Sequence, residues 1–159
     1  MTSSVLGRLA ELGLELPEVA APVATYVPAV RTGRYVYTSG QLPFVDGTLA
    51  ATGKVGDGEG LVGPLVAASL ARTAVLNALA AVASQIGSLD QVSRIVKVVG
   101  FVASDPSFTG QPAVVNGASV LLGEIFGEAG VHARSAVGVA VLPLDSPVEI
   151  ELVVELAEG

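Results

Sequence analysis

The spacing of apolar residues changes along this chain, and each change predicts a different element. From Pro64 to Ile86 they recur at helical spacing, and Gly87 follows as a stop signal. Pro112 begins a second helical stretch that runs to about Phe126. Extended, valine-rich runs surround these two helices and are predicted as strands at residues 25–30, 35–41, 93–104, 133–144 and 148–157. The resulting order, β-β-α-β-α-β-β, predicts an α+β fold in which helices cover one face of a mixed sheet.

Two of the predicted connections are hairpins. The segment RTGR, with Gly33 as the turn residue, joins the first two strands, and LDSP joins the last two. In a hairpin centred on LDSP, Glu149 would pair near Leu142 and Arg134 near Ala157. About eight residues of strand would then separate the two charges, a distance on the order of 25 Å. A site that uses both would therefore have to be assembled between subunits.

The chain is expected to form a single domain, residues 1–159. Near its start, Ser3 or Ser4 can cap a short helix that Gly13 and then Pro17 end. Residues 1–22 are therefore predicted to be an N-terminal helical extension. The glycine-rich stretch DGTLAATGKVGDGEG is predicted to be a surface loop. It lacks the lysine-serine or lysine-threonine ending of a phosphate loop, and its acidic residues would repel a phosphate.

Composition indicates self-association and narrows the range of partners. Hydrophobic residues make up 51% of the chain and aromatic residues only 4%, which is more apolar material than so small a monomer usually buries. We therefore expect part of the sheet to contact another subunit. The net charge of −7 disfavours a nucleic-acid partner. The absence of cysteine fits a reducing cytoplasm, and the polar residues within Leu65–Ile86 argue against a membrane segment.

The last two predicted strands carry charges in a chain that has few, since only 14% of its residues are charged. In the last strand, Glu149, Glu151 and Glu155 share one face, opposite a face of valine, isoleucine and leucine. A solvated acidic face explains Glu151 and Glu155, whereas Glu149 lies beside the turn. Arg134 has small neighbours that leave room for a ligand, and its guanidinium suits a bidentate grip on a carboxylate. A surface ion pair is the ordinary alternative for Arg134.

His132 is the only histidine of the chain. A Ser-His-Asp triad could therefore use no other residue, and a zinc site would lack its usual set of histidine and cysteine ligands. We interpret His132 as a residue that stands near a strand start by chance. Neither a metal nor a cofactor is predicted.

Six motifs, taken in order, resemble the RidA/YjgF family of enamine and imine deaminases. They are YVPAV, YTSGQLP, VKVVGFV, VVNGAS, ARSAVGVAVLP and VEIE, and the similarity extends from about Ala24 to Ala157. The resemblance implies a chorismate-mutase-like fold, a homotrimer and substrate clefts between subunits. It also implies a reaction, because members of that family hydrolyse reactive imines and enamines, such as 2-aminoacrylate, to 2-keto acids and ammonia without a cofactor.

The resemblance implies roles for six positions. Arg134 stands where the family's arginine grips the substrate carboxylate, and Glu149 where its glutamate positions or activates a water molecule. The positions that line the pocket in the family are Tyr26, Ser39, Gly40 and Asn116. An imine carbon is already electrophilic, so positioning and one general base can suffice for its hydrolysis. The expected activity is that of a 2-iminobutanoate/2-iminopropanoate deaminase.

Some positions depart from the family pattern. Ala136 stands where many members have cysteine, Gly138 replaces a larger residue, and the loop at residues 104–112 is longer than usual. With the N-terminal extension, these differences indicate a divergent subgroup and leave the substrate open. A non-catalytic trimer that binds a small carboxylate metabolite or a partner protein in the same cleft is the alternative function. A third is an endoribonuclease, which the acidic charge and the lack of a histidine pair disfavour.

Overall fold

A computed structural model describes residues 4–19 and 25–159, and their order of elements confirms the predicted α+β fold. The helices are α1 (Val5–Glu11), α2 (Pro64–Ile86) and α3 (Gln111–Phe126). The strands are β1 (Ala29–Thr32), β2 (Tyr35–Thr38), β3 (Phe44–Val45), β4 (Thr48–Leu49), β5 (Val92–Ala103), β6 (Ala133–Val139) and β7 (Val148–Leu156). The first predicted strand begins four residues too early, and β6 ends five residues before the predicted end.

Five strands form one mixed sheet in the order β1-β2-β7-β5-β6. The neighbours β5 and β6 are parallel, and the other three pairs are antiparallel. The β1–β2 hairpin is confirmed, and its turn needs Gly33 because the backbone there has a φ of +58°. The short strands β3 and β4 pair with each other around the start of the segment predicted to be a loop, with β3 just before that segment and β4 inside it.

The predicted hairpin between the last two strands is wrong. Instead of β7, the partner of β6 is β5, which separates the two strands. The physical reason is the α3 crossover, since a helix between two strands returns the chain to pair in parallel. In this register Arg134 lies opposite Val98, and Glu149 lies opposite Phe101. Three residue positions and two strand spacings then separate the two α-carbons, on the order of 14 Å rather than 25 Å.

The core lies between the sheet and the helices α2 and α3, which cover one face of it. Six of the ten buried residues of α2 are alanine. Such small side chains let the two helices approach closely, and at Gly117 of α3 the backbone of α2 at Ala68 comes so near that an added methyl group would overlap it. The opposite face of the sheet carries no helix among the described residues, and we call it the open face.

We expect two glycine substitutions in α3 to have effects of opposite sign. Gly117→Ala should lower the free energy of unfolding by about 1–3 kcal/mol, because the methyl group forces α2 and α3 apart. Gly123→Ala, where a methyl group would meet nothing within 4 Å, should raise it by roughly 0.5–1 kcal/mol through helix propensity. Urea denaturation at a fixed protein concentration measures both. Equal effects would contradict the close helix packing.

The helix α1 is docked on the domain rather than separate from it. Leu9 is 1% exposed and belongs to the hydrophobic core. The Arg8 Nε donates to the carbonyl oxygen of Glu124 at 2.8 Å, and the Val5 amide donates to Asp90 Oδ1 at 2.7 Å. The boundaries of the predicted extension, residues 1–22, stay a prediction, and residues 1–3 and 20–22 lie outside the described part of the chain.

By length and composition, α2 could cross a membrane. In the fold, α2 is a core helix, because its buried side chains pack on the sheet and on α3. A core helix that is apolar on most sides is typical of such packing.

Candidate active site

Arg134 lies on β6, at one edge of the sheet, and its side chain reaches towards α3. Its Nη1 donates to Asn116 Oδ1 at 2.7 Å and to Ser119 Oγ at 3.2 Å. Within residues 4–19 and 25–159, no ion pair involves Arg134, so the surface ion pair considered as its alternative role is not formed there. Two neutral acceptors fix one nitrogen of the guanidinium, which leaves its charge unneutralised and available to an anion.

Sequence reasoning missed two residues beside Arg134. His132 Nε2 lies 2.9 Å from Ser119 Oγ, and His132 Nδ1 lies 2.6 Å from the carbonyl oxygen of Gly130. A serine on a helix and a histidine before the following strand give no motif, because thirteen residues separate them. We call the group of Asn116, Ser119, His132 and Arg134 the arginine half-site.

Glu149 lies near the start of β7 and points to the open face. The register shows this, because its partner Phe101 alternates with residues of β5 that are buried under the helices. The pKa of Glu149 is raised above its ordinary value, chiefly by burial and secondly by the negative charge of Glu151. A carboxylate with a raised pKa is a better proton acceptor near neutral pH.

Gly40 is packed against the Glu149 side chain. Beyond the end of β2, the backbone of Gln41 exchanges two hydrogen bonds with Ile150, of 2.7 and 3.0 Å, which draws the preceding residues alongside β7. A side chain at Gly40 would overlap the Glu149 carboxylate, so the absence of a β-carbon makes room for it. Sequence therefore named two residues that the fold brings into contact.

Ser39 precedes Gly40 in the chain, and a hydrogen bond places the segment of Tyr26 beside it. Ser39 Oγ donates to the carbonyl oxygen of Val27 at 2.6 Å, which holds residues 26–27 beside residues 39–40. The side chain of Tyr26 is largely exposed. We call the group of Tyr26, Ser39, Gly40 and Glu149 the glutamate half-site.

The two half-sites face opposite sides of the sheet within one chain. Arg134 pairs with Val98, which is buried under the helices, whereas Glu149 pairs with Phe101 on the open face. Residues in register on neighbouring strands point to the same face. One small ligand therefore cannot contact both Arg134 and Glu149 of the same chain without a rearrangement of the sheet.

The departures at Gly138 and in the long loop form one structural unit. A cleft of about 290 Å³ lies at the end of β6 away from Arg134, between residues 104–106, Phe108, Gln111 and residues 138–140. The Gln111 Nε2 donates to the Phe108 carbonyl at 2.8 Å and to Ser104 Oγ at 3.1 Å. A β-carbon at Gly138 would lie 2.8 Å from that nitrogen. A larger residue at position 138 would therefore require the end of the Gln111 side chain to move.

Several apolar side chains on the open face are exposed, since no helix covers them among the described residues. Its exposed members on β1, β2 and β6 are Val30, Tyr35, Tyr37 and Val137. Solvent-facing valine and tyrosine in neighbouring strands are typical of a surface that another chain covers.

Among the described residues, no group of three or more histidine, cysteine, aspartate or glutamate side chains could hold a metal ion.

A mixed five-stranded sheet backed by two helices places this protein in the chorismate-mutase-like class of α+β domains. The profile of the family described as "YjgF/chorismate_mutase-like, putative endoribonuclease" matches residues 6–156. The chain therefore belongs to the YjgF family, which confirms the resemblance. Protein TCP17 of Trypanosoma cruzi is 43% identical over 153 residues, which are 96% of this chain and 94% of that protein.

Two crystal structures show the same fold. The protein Atu1372 from Agrobacterium tumefaciens is 42% identical, with a TM-score of 0.87 and coverage of 96% of this chain and 92% of that chain. The E. coli protein TdcF with bound serine is 25% identical, with a TM-score of 0.65 and coverage of 88% of this chain and 94% of that chain. A small amino acid thus binds to one protein of this fold.

Proposed function

We propose that this protein is a cofactor-independent hydrolase that converts 2-imino acids and their enamine tautomers to 2-keto acids and ammonia. The observation that supports this best is the pair of complementary half-sites. Arg134 has an unneutralised guanidinium that can hold a carboxylate, and Glu149 has a raised pKa that suits a proton acceptor. Anchoring of the substrate and activation of water are the two operations that imine hydrolysis needs.

The site is proposed to form between subunits of a homotrimer. The arginine half-site of one subunit and the glutamate half-site of its neighbour would face each other, since within one chain they face apart. A closed ring of heterologous contacts brings one surface of each subunit against a different surface of the next. The exposed apolar residues of the open face supply contact area for such an interface.

The chemistry follows from these roles. The substrate carboxylate binds the guanidinium, with Asn116 holding the arginine, while Tyr26, Ser39 and the backbone at Gly40 line the other wall of the pocket. Glu149 accepts a proton from water as the oxygen bonds to the imine carbon and the C=N electron pair moves to nitrogen. That proton passes to the nitrogen and gives a carbinolamine. Glu149 then transfers the hydroxyl proton to the same nitrogen, the C=O bond forms as the C–N bond breaks, and ammonia leaves the 2-keto acid.

A non-catalytic trimer that binds a small carboxylate metabolite or a partner protein is the second candidate function. It is favoured by the TdcF structure, in which an amino acid is bound, and by the altered positions Ala136 and Gly138. The net charge of −7 and the single histidine disfavour an endoribonuclease. A chain of this composition, without cysteine, fits the reducing cytoplasm that we propose as its location.

Imine hydrolysis by the wild-type protein tests the proposal. An amino-acid oxidase generates 2-imino acids of several side-chain lengths in situ, and their loss is followed with and without this protein. We expect faster loss and matching release of 2-keto acid. No acceleration with any imine, combined with calorimetric binding of 2-ketobutyrate, would favour the binding-only trimer instead.

A further inference from the structure

We infer that His132 is a positioning residue that acts through Ser119 to hold Arg134 in its carboxylate-binding orientation, an inference that rests on the proposed function. The structure joins four groups in one chain of contacts, from the Gly130 carbonyl through His132 and Ser119 to Arg134. Ser119 stands between His132 and Arg134 in this chain of contacts, so we assign His132 a positioning role rather than contact with the substrate.

The donors and acceptors along this chain are set by chemistry. The Gly130 carbonyl oxygen can only accept, so His132 Nδ1 carries the proton in their 2.6 Å contact. In the neutral imidazole, Nε2 is then an acceptor, and the Ser119 hydroxyl donates to it at 2.9 Å. The guanidinium of Arg134 has only donors, so its 3.2 Å contact uses a lone pair of Ser119 Oγ. For a neutral ring, this is the arrangement in which each of the three contacts has one hydrogen-bond donor and one acceptor.

His132 provides a hydrogen-bond acceptor outside the helix for the Ser119 hydroxyl. A serine in a helix commonly donates to the carbonyl oxygen four residues earlier, which for Ser119 is that of Val115. That bond would turn the hydroxyl towards the helix axis and weaken its contact with Arg134. An acceptor at His132 Nε2 keeps the oxygen at the arginine, so that Asn116 and Ser119 together restrict the guanidinium.

Three substitutions, two at His132 and one at Ser119, separate this role from simple packing. In His132→Gln, the amide oxygen lies near the position of Nε2 and can still accept from Ser119, whereas the shorter amide of His132→Asn reaches only the position of Nδ1. We expect His132→Asn and Ser119→Ala to raise the KM for a 2-imino acid, and the Kd for 2-ketobutyrate, by about three- to tenfold, with kcat changed less than about twofold. His132→Gln should stay within about twofold of wild type in both.

Nitrogen-15 NMR of the imidazole tests the arrangement without any ligand. Because the chain has one histidine, its ring nitrogens give unambiguous signals. At a pH where the ring is neutral, we expect the proton on Nδ1 in the wild type and in Ser119→Ala, because the Gly130 carbonyl holds it in both. The Nε2 signal should shift in Ser119→Ala, because the hydrogen bond from the serine is lost. A proton on Nε2 in the wild-type protein would overturn the inference, and so would equal binding constants for the Asn and Gln variants.

The outcomes also separate this inference from the proposed reaction and from nucleophilic catalysis. If the wild type hydrolyses no imine but the Asn variant binds 2-ketobutyrate more weakly than the Gln variant, positioning stands and the reaction falls. If 2-ketobutyrate does not bind at all, the tautomer measurement still decides. Covalent labelling of Ser119 by a fluorophosphonate would overturn the positioning role, because it would make Ser119 and His132 a nucleophile and its base.

Discussion

Replacing Arg134 by alanine is expected to lower kcat/KM for 2-imino acids by about ten- to a hundredfold. The substitution removes the charge-assisted anchor of the carboxylate, and a hydrogen bond to a charged group contributes about 1.5–3 kcal/mol. The measurement is loss of an imine generated in situ, at substrate concentrations below KM. Binding of 2-ketobutyrate should weaken by a similar factor, because the anchor acts on ground state and transition state alike.

Arg31→Ala provides a matched control. Arg31 is an exposed arginine on β1, at the opposite edge of the sheet from β6, and its Nε donates to the Gly33 carbonyl at 3.2 Å. Activity should stay at the wild-type level in this variant, since only a surface charge is lost. Full activity in Arg134→Ala would remove the proposed mechanism.

Replacing Glu149 by glutamine is expected to abolish most of the turnover while ligand binding stays nearly unchanged. The amide fills the same space but cannot accept a proton at neutral pH, and a lost general base typically costs about 10²–10⁴-fold in rate. Parallel measurements of kcat and of the Kd for 2-ketobutyrate make the distinction. A proportional loss in both would assign Glu149 to binding instead.

The pH dependence offers a second test of Glu149. Its pKa is raised by burial and by Glu151, so the acid limb of the wild-type pH–rate profile should lie above the ordinary range of a glutamate. Glu151→Gln removes a neighbouring negative charge. The pKa of Glu149 should then fall, and the acid limb should move to lower pH with the maximal rate retained. A wild-type acid limb within the ordinary range of a glutamate would contradict Glu149 as the titrating base.

The raised pKa of Glu149 also has a consequence for stability. The folded chain holds this proton more tightly than the unfolded chain, so the contribution of Glu149 to the free energy of unfolding falls as pH rises between the two pKa values. Glu149→Gln should therefore be at least as stable as wild type at neutral pH. Low activity in this variant would then report lost chemistry rather than lost folding.

Elements bounded by strong local signals could be predicted from the sequence. The bounds of α2 are those predicted, because Pro64 favours the first turn of a helix and Gly87 ends it with a φ of +83°. The β1–β2 hairpin was predictable for the same reason, since its turn requires the glycine at position 33. In both cases the residue that determines the end of the helix or the turn of the hairpin lies at that end or in that turn.

Strand partners could not be predicted in the same way. The valine-rich runs of β5, β6 and β7 have similar compositions, and period-two alternation shows which face is buried but not which strand lies alongside. The residues between β6 and β7 looked like a tight turn. They instead contain Leu144 and Asp145 at positive φ and form a connection long enough to pass β5.

The candidate site also combines contacts that the sequence indicated with contacts that it did not indicate. Arg134 and Asn116 meet, as do Glu149 and Gly40, and the family motifs indicated both pairs. No pattern in the sequence indicates the contact of His132, because its partner Ser119 is distant along the chain and no spacing rule connects them. The orientation of the two half-sites required the register of β5 with both of its neighbours, which only the fold supplies.

Mixing two impaired variants tests the central claim most directly, namely that Arg134 and Glu149 of different subunits act on one substrate. Arg134→Ala and Glu149→Gln subunits are unfolded together in equal amounts, refolded, and assayed for imine hydrolysis. In a ring where each site takes its arginine from one subunit and its glutamate from the next, about a quarter of the sites combine two intact residues, so about a quarter of wild-type activity should return. A mixture as inactive as its two components would contradict the account, because it would show that each site draws both residues from one chain.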